Sequence, residues 1–197
     1  MPGAIATGRF AKRPIAIVHK AADQIVAATA AFHLLKGRRD ALVKKSFSMA
    51  MWMILALAPL QMFVGDMHGL NTLEHQPAKL AAMEGHWETN KDHGMPLYLF
   101  GIPDMEAEET KYAIGIPNLG SLIMTHTLDG EVKGLKEFAP EDRPNSLVVF
   151  WSFRIMVGLG VLMILMAVLG AWLRKTDKFY DSVWLHRFAL YMGPSGF

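Results

Sequence analysis

The chain has 197 residues, 52% of them apolar, with fourteen Met, five Trp, no Cys and a formal net charge of +2. Without Cys there is no disulfide framework, thiolate nucleophile, zinc knuckle or cysteine-held iron–sulfur cluster, so any metal must be held by His, Met or carboxylate. The basic residues form short clusters beside apolar runs instead of one long face, which argues against a nucleic-acid partner and for a membrane protein.

Taken in chain order, the first apolar run is Pro14 to Leu35, interrupted by Lys20 and Asp23, each costly at mid-membrane. Phe47 to Val64 carries no charge and lies near the lower length limit for a span, with Pro59 expected to kink it. Leu147 to Leu173 exceeds the roughly 20 residues that cross a bilayer, and its polar exceptions are Ser152 and Arg154. Trp184 to Met192 starts a further helix, which Gly193-Pro194-Ser195-Gly196-Phe197 cuts short, so the C-terminus reads as truncated. The expected fold is therefore an all-α integral membrane protein. Its parts are an atypical span and loop over 1–46, a membrane helix over 47–65 and an external loop over 66–146. A membrane helix over 147–173 follows, and 174–197 holds a loop and the start of the cut helix.

Basic residues 36, 38, 39, 44 and 45, and again 174, 175, 178 and 187, put their loops on the cytoplasmic side. Asp66 to Ser146 holds fourteen Asp and Glu against six Lys and Arg, which suits the opposite face. A genuine first span would leave Arg9, Lys12 and Arg13 outside, against that rule. No secretory signal pattern is visible at the start.

Within the 66–146 loop, Asn71 to Glu88 has helix-forming content, with Pro77 acceptable in a first turn. Lys79 and Glu84 fall on that helix five residues apart, turned by about 140°, so they are not an ordinary surface pair. A solvated face of mixed charge is the plain alternative for them. In the later helix, an arginine several residues inside an apolar span must find an anionic partner or water. Arg154 and Met156 stand about 200° apart around the helix and do not project together. A methionine in such a helix is most often core filler.

The ordered motifs carry a resemblance. Gly65-Asp66, Lys79-Leu80-Ala81-Ala82-Met83-Glu84, Trp87-Glu88-Thr89, Phe100-Gly101-Ile102-Pro103-Asp104, Gly134-Leu135-Lys136-Glu137 and Phe150-Trp151-Ser152-Phe153-Arg154-Ile155-Met156 together resemble subunit I of the cytochrome bd quinol oxidases. The short stretch from Phe138 to Leu147 and the phrase His68 to Pro77 resemble the short-loop, cyanide-insensitive branch. The resemblance runs from about Phe32 onward and covers the central part of the family's subunit.

The resemblance implies that Lys79 and Glu84 bind quinol, ubiquinol or menaquinol, at the outer face of a bacterial cytoplasmic membrane. Chemically, a carboxylate near a quinol hydroxyl can accept a proton and an ammonium can orient the ring oxygen. It further implies that Met156 is an axial ligand of a low-spin haem b and that Arg154 supports that haem's charge. A thioether ligand raises the iron's potential, as an electron acceptor requires. Ile17-Val18-His19 resembles the sequence around the other axial ligand, making His19 the candidate, although its distance to the Leu35-Lys36-Gly37-Arg38 helix end is about two turns shorter than the family's. His33, His68, His75, His86, His93, His126 and His186 read as interfacial, solvated or unassigned neighbours of the quinol site.

For the complete subunit, the resemblance implies a second haem b and a haem d, a subunit II partner and surrounding lipid. Two other functions stay open at this level: a non-catalytic membrane b-type cytochrome or quinone-binding module, and an inert truncated fragment.

Overall fold

The computed structural model describes residues 13–90 and 93–196, with side chains described from residue 22 onward. The chain is mostly helical: α1 Arg13–Leu35, α2 Ala41–His75, α3 Pro77–Glu84, α4 Leu119–Thr125, α5 Ser146–Lys175 and α6 Val183–Met192. Two of these, α2 and α5, are long and apolar enough to cross a membrane. Both outrun the expected spans because charges such as Lys44, Lys45 and Asp66 end an apolar run without ending a helix. Pro59 lies inside α2, where it removes one backbone donor while the helix continues.

The all-α expectation needs correction. Strands β1 Leu97–Asp104 and β2 Glu109–Ile116 form an antiparallel hairpin. Their sequences, LYLFGIPD and ETKYAIGI, are rich in aromatic and β-branched residues, which favour a pleated surface. The tight end is set by Asp104, whose carboxylate accepts from Glu106 N at 2.9 Å, Ala107 N at 3.1 Å and Lys111 Nζ at 2.7 Å. Those donors, Lys111 first, hold its carboxyl down at about 2. Arg143 then clips the turn to the segment before α5, donating to Glu108 Oε1 at 2.6 Å and to Phe138 O at 2.8 Å.

The chain divides into two compact units, one of residues 1–60 with 159–197 and one of residues 61–158. In the first, α1 presents Ala27, Ala30 and Ala31, all buried, where small side chains let helices approach closely. Phe47 is fully buried with its ring 5.0 Å from that of Phe179. Arg174 donates to Ser48 Oγ at 2.9 Å and lies 3.8 Å from the Phe179 ring centroid.

In the second unit, α3 is the central element. Pro77 occupies its first turn, where the missing N–H would have no helical partner anyway. Leu80 packs with Met95, Met124 and Val132, while Ala81 and Ala82 pack with Trp87 and Leu135. The helix ends at Gly85, in the left-handed conformation at φ 69°, and His86 N donates back to Ala81 O at 3.0 Å. A Cβ at position 85 would also stand 2.9 Å from Phe150 Cδ2.

Gly37 has a comparable φ of 79° but open space around it. Gly37→Ala therefore tests backbone strain alone, a cost of about 1–2 kcal/mol. Gly85→Ala is expected to lose clearly more than Gly37→Ala in thermal unfolding of the detergent-solubilised protein, and equal losses would show that Phe150 yields freely.

Candidate functional site

The last residue of α3, Glu84, is completely buried. One carboxylate oxygen, Oε2, receives Arg154 Nη2 at 3.1 Å. The other, Oε1, is buried with no hydrogen-bond partner among the described residues. An acceptor left in that state costs stability unless a donor arrives from elsewhere.

Arg154 comes from α5, and its guanidinium is held on several sides. Nε donates to Tyr98 O on β1 at 2.7 Å, Nη1 donates to Met83 O on α3, and the group lies 3.6 Å from the Phe150 ring centroid. Three of its five N–H groups are thereby used. The start of α5 is fixed against α3 by Ser146 Oγ, which donates to Ala82 O at 3.1 Å. Arg154 lies eight residues further on, a rise of about 12 Å along the axis.

The hairpin and the chain after α3 close round the same point. Thr110 Oγ1 donates to Gly85 O at 2.6 Å and accepts from Trp87 Nε1 at 3.2 Å. His86 is buried, its Nε2 lies 2.8 Å from Pro96 O, and its ring stacks on Tyr98 with centroids 4.5 Å apart. Burial pushes the Glu84 carboxyl above the usual carboxylate range, an effect that the charge and hydrogen bond of Arg154 reduce but do not cancel. Burial likewise brings His86 down to about 4, against the opposing pull of its bond to Pro96, so its ring is neutral near pH 7.

The sequence-derived candidates are distributed as follows. Glu84, the quinol candidate, and Arg154, the haem candidate, meet. Lys79 is exposed on α3, and no ion pair among the described residues joins it to Glu84. Met156 is exposed on α5, at 61% of its full surface. The backbone of His19 lies in α1, while its side chain falls outside the described residues. Two histidines read as solvated or unassigned are in fact interior: His86, and His186, whose Nε2 lies 3.2 Å from Phe179 O. Neither belongs to a cluster, and among the described residues no group of three or more His, Cys, Asp or Glu could hold a metal ion.

Comparison with known proteins gives a consistent result. The family profile described as cytochrome bd terminal oxidase subunit I matches residues 13–197. The cytochrome bd ubiquinol oxidase subunit 1 of Bacillus subtilis (strain 168) is 35% identical over 196 residues, covering 94% of this chain and 38% of the relative. The cytochrome bd-II ubiquinol oxidase subunit 1 of Escherichia coli (strain K12) is 33% identical over 122 residues, covering 61% of this chain and 23% of that protein. Among solved structures, the bd oxidase from Geobacillus thermodenitrificans matches with a TM-score of 0.81 at 31% identity, over 92% of this chain and 41% of that one. The chain thus spans about two fifths of the length of the first and last of these.

Removing the cation alone should expose the weakness of a buried carboxylate without a partner. Arg154→Met is expected to cost about 3–5 kcal/mol, whereas Arg154→Met combined with Glu84→Leu should recover much of that loss. Thermal unfolding and protease resistance of the 76–145 segment, measured on both variants, check this.

Proposed function

Since the chain belongs to the cytochrome bd terminal oxidase subunit I family, we propose that it supplies the quinol-oxidising part of a terminal respiratory quinol oxidase. The observation that carries the proposal is Glu84: a carboxylate sealed from solvent, with one oxygen held by Arg154 and the other unmatched.

Oxidising a quinol removes two electrons and two protons. In the ionised state, Glu84 accepts a hydroxyl proton at Oε1 while Arg154 keeps Oε2 and the end of α3 in place. A carboxyl raised by burial is a better base than an ordinary one, which suits a weakly acidic hydroxyl. Lys79, on the exposed side of the same helix, meets the quinol from the solvent side and orients its ring oxygen. The headgroup is that of ubiquinol or menaquinol. The 66–146 segment faces the outer side of a bacterial cytoplasmic membrane, with the basic clusters at 36–45 and 174–187 inside.

The family implies haem cofactors, and the residues present fit part of that requirement. Met156 presents an exposed thioether outside the buried clusters and would be a ligand of a low-spin haem b. His19 is proposed as a second ligand, and the two N–H groups of Arg154 without a partner among the described residues would support the haem's charge. When bound, such a haem supplies a one-electron acceptor for quinol electrons. A second haem b and a haem d in the complete subunit, with subunit II as partner, complete the proposed oxygen-reducing enzyme.

The test is Glu84→Gln in the assembled oxidase. Quinol turnover should fall by about 100-fold or more with haem content unchanged, and undiminished turnover would reduce Glu84 to a structural carboxyl. Because the base must be ionised, wild-type turnover should rise with pH through a midpoint above the ordinary carboxylate range, and Glu84→Gln should lose that limb. Separately, Met156→Leu should abolish or shift the low-spin b band in the reduced-minus-oxidised spectrum, while an unchanged band would remove Met156 from the site.

A further inference from the structure

Resting on that reading of Glu84, the geometry points to His86 as a positioning residue of the quinol site, one that holds the Pro96–Tyr98 segment so that the Tyr98 carbonyl seats Arg154 against Glu84. Arg154 Nε donates to Tyr98 O at 2.7 Å, so the pose of the guanidinium depends on where that carbonyl stands. The sheet alone does not fix it. Tyr98 pairs with Gly115, but the register with β2 shifts between Tyr98 and Phe100 and again between Phe100 and Ile102. Pro96, at the strand's entry, has no N–H with which to join the ladder.

His86 supplies the missing support from the other side. A carbonyl oxygen only accepts, so the 2.8 Å contact to Pro96 O requires the proton on Nε2. The same ring lies nearly parallel to Tyr98, with a 17° interplanar angle at 4.5 Å. His86 is itself fixed by its backbone: its N–H donates to Ala81 O and its carbonyl accepts Leu135 N–H, both at 3.0 Å. One residue thus joins the end of α3, the start of β1 and the turn Leu135–Glu137.

Among the described residues, the titratable and charged groups that act on His86 are Tyr98 from β1, stacked on its ring, and Arg154 from α5, whose charge opposes its protonation; Arg154 in turn carries Glu84 of α3. In the turn that His86 O holds, Lys136 pairs with Glu88 at 3.1 Å, and Glu137 accepts from Thr89 at 2.9 Å. Since Arg154 favours the ionised form of Glu84, loosening its seat should raise the carboxyl's midpoint.

Two substitutions separate the features of the ring. His86→Phe keeps the stack on Tyr98 but loses the donor, and His86→Gln keeps a donor but loses the stack. In the assembled oxidase, with haem content checked by spectrum, His86→Phe should move the acid limb of quinol turnover to higher pH by about one unit, which is about tenfold less activity below the limb. His86→Gln should return the limb toward its wild-type position. If His86→Phe does not assemble, His86→Leu, which also lacks the ring donor to Pro96 O, reads the same contact and should shift the limb the same way.

A lower rate with an unmoved limb would overturn the inference, because a merely structural defect scales activity at every pH. A wild-type profile would overturn it too. The Glu84→Gln enzyme separates this result from the parent reading. A slowed Glu84→Gln with an unaltered His86→Phe sinks only the role of His86, whereas an undiminished Glu84→Gln sinks the quinol assignment itself.

Discussion

The buried ion pair between Glu84 and Arg154 is the constraint to which the 61–158 unit is built. Taking a carboxylate and a guanidinium out of water costs several kcal/mol per ion, and attraction between the two offsets this only where the remaining N–H groups and oxygens also find partners. Arg154 meets part of that demand with backbone carbonyls from two elements, Met83 O on α3 and Tyr98 O on β1, and with the face of Phe150. Glu84 meets it by half, because Oε1 is left without a donor. Among the described residues both ions thus keep unmatched positions, Oε1 on Glu84 and two N–H groups on Arg154.

The surrounding backbone follows from the need to bring three elements to one point. Gly85 turns the chain out of α3 within one residue, and its φ of 69° together with the nearness of Phe150 leaves little room for a side chain. The hairpin then contributes main-chain polarity through Tyr98 O and a hydroxyl through Thr110, whose bonds to Gly85 O and Trp87 Nε1 fix both sides of the turn. Ser146 ties the first turn of α5 to the last turn of α3, so the helix that carries Arg154 and Met156 is indexed to the helix that carries Glu84.

How much of this can be read from the sequence depends on how local each signal is. The apolar runs in α2 and α5 announce themselves by length and hydropathy, and Pro77 marks the start of α3 by the same local chemistry that operates in the structure. The hairpin is hidden because both strands carry apolar residues at successive positions, which blurs the two-residue alternation, and because β2 is exposed along nearly its whole length. The partner of Glu84 is hidden for another reason: Arg154 lies 70 residues away, and no helical spacing rule spans that interval. Lys79, five residues off and oppositely charged, is turned about 140° away on the same helix, so local spacing rules it out as a pair without pointing to another. His86 has no ligand spacing in the sequence, and its contacts, Pro96 O and the Tyr98 ring, come from residues ten and twelve positions on.

The Arg154 cation also decides what a change of charge on Glu84 does to its surroundings. With Glu84 ionised, the pair is electrically balanced. Once Oε1 carries a proton, the same enclosure holds an uncompensated guanidinium whose charge cannot be discharged at any physiological pH. Neutral His86 supplies no counter-charge nearby. Protonation of Glu84 would therefore relieve the burial cost of the carboxylate only by leaving the guanidinium unbalanced, so each charge state carries a penalty that the surrounding unit has to absorb.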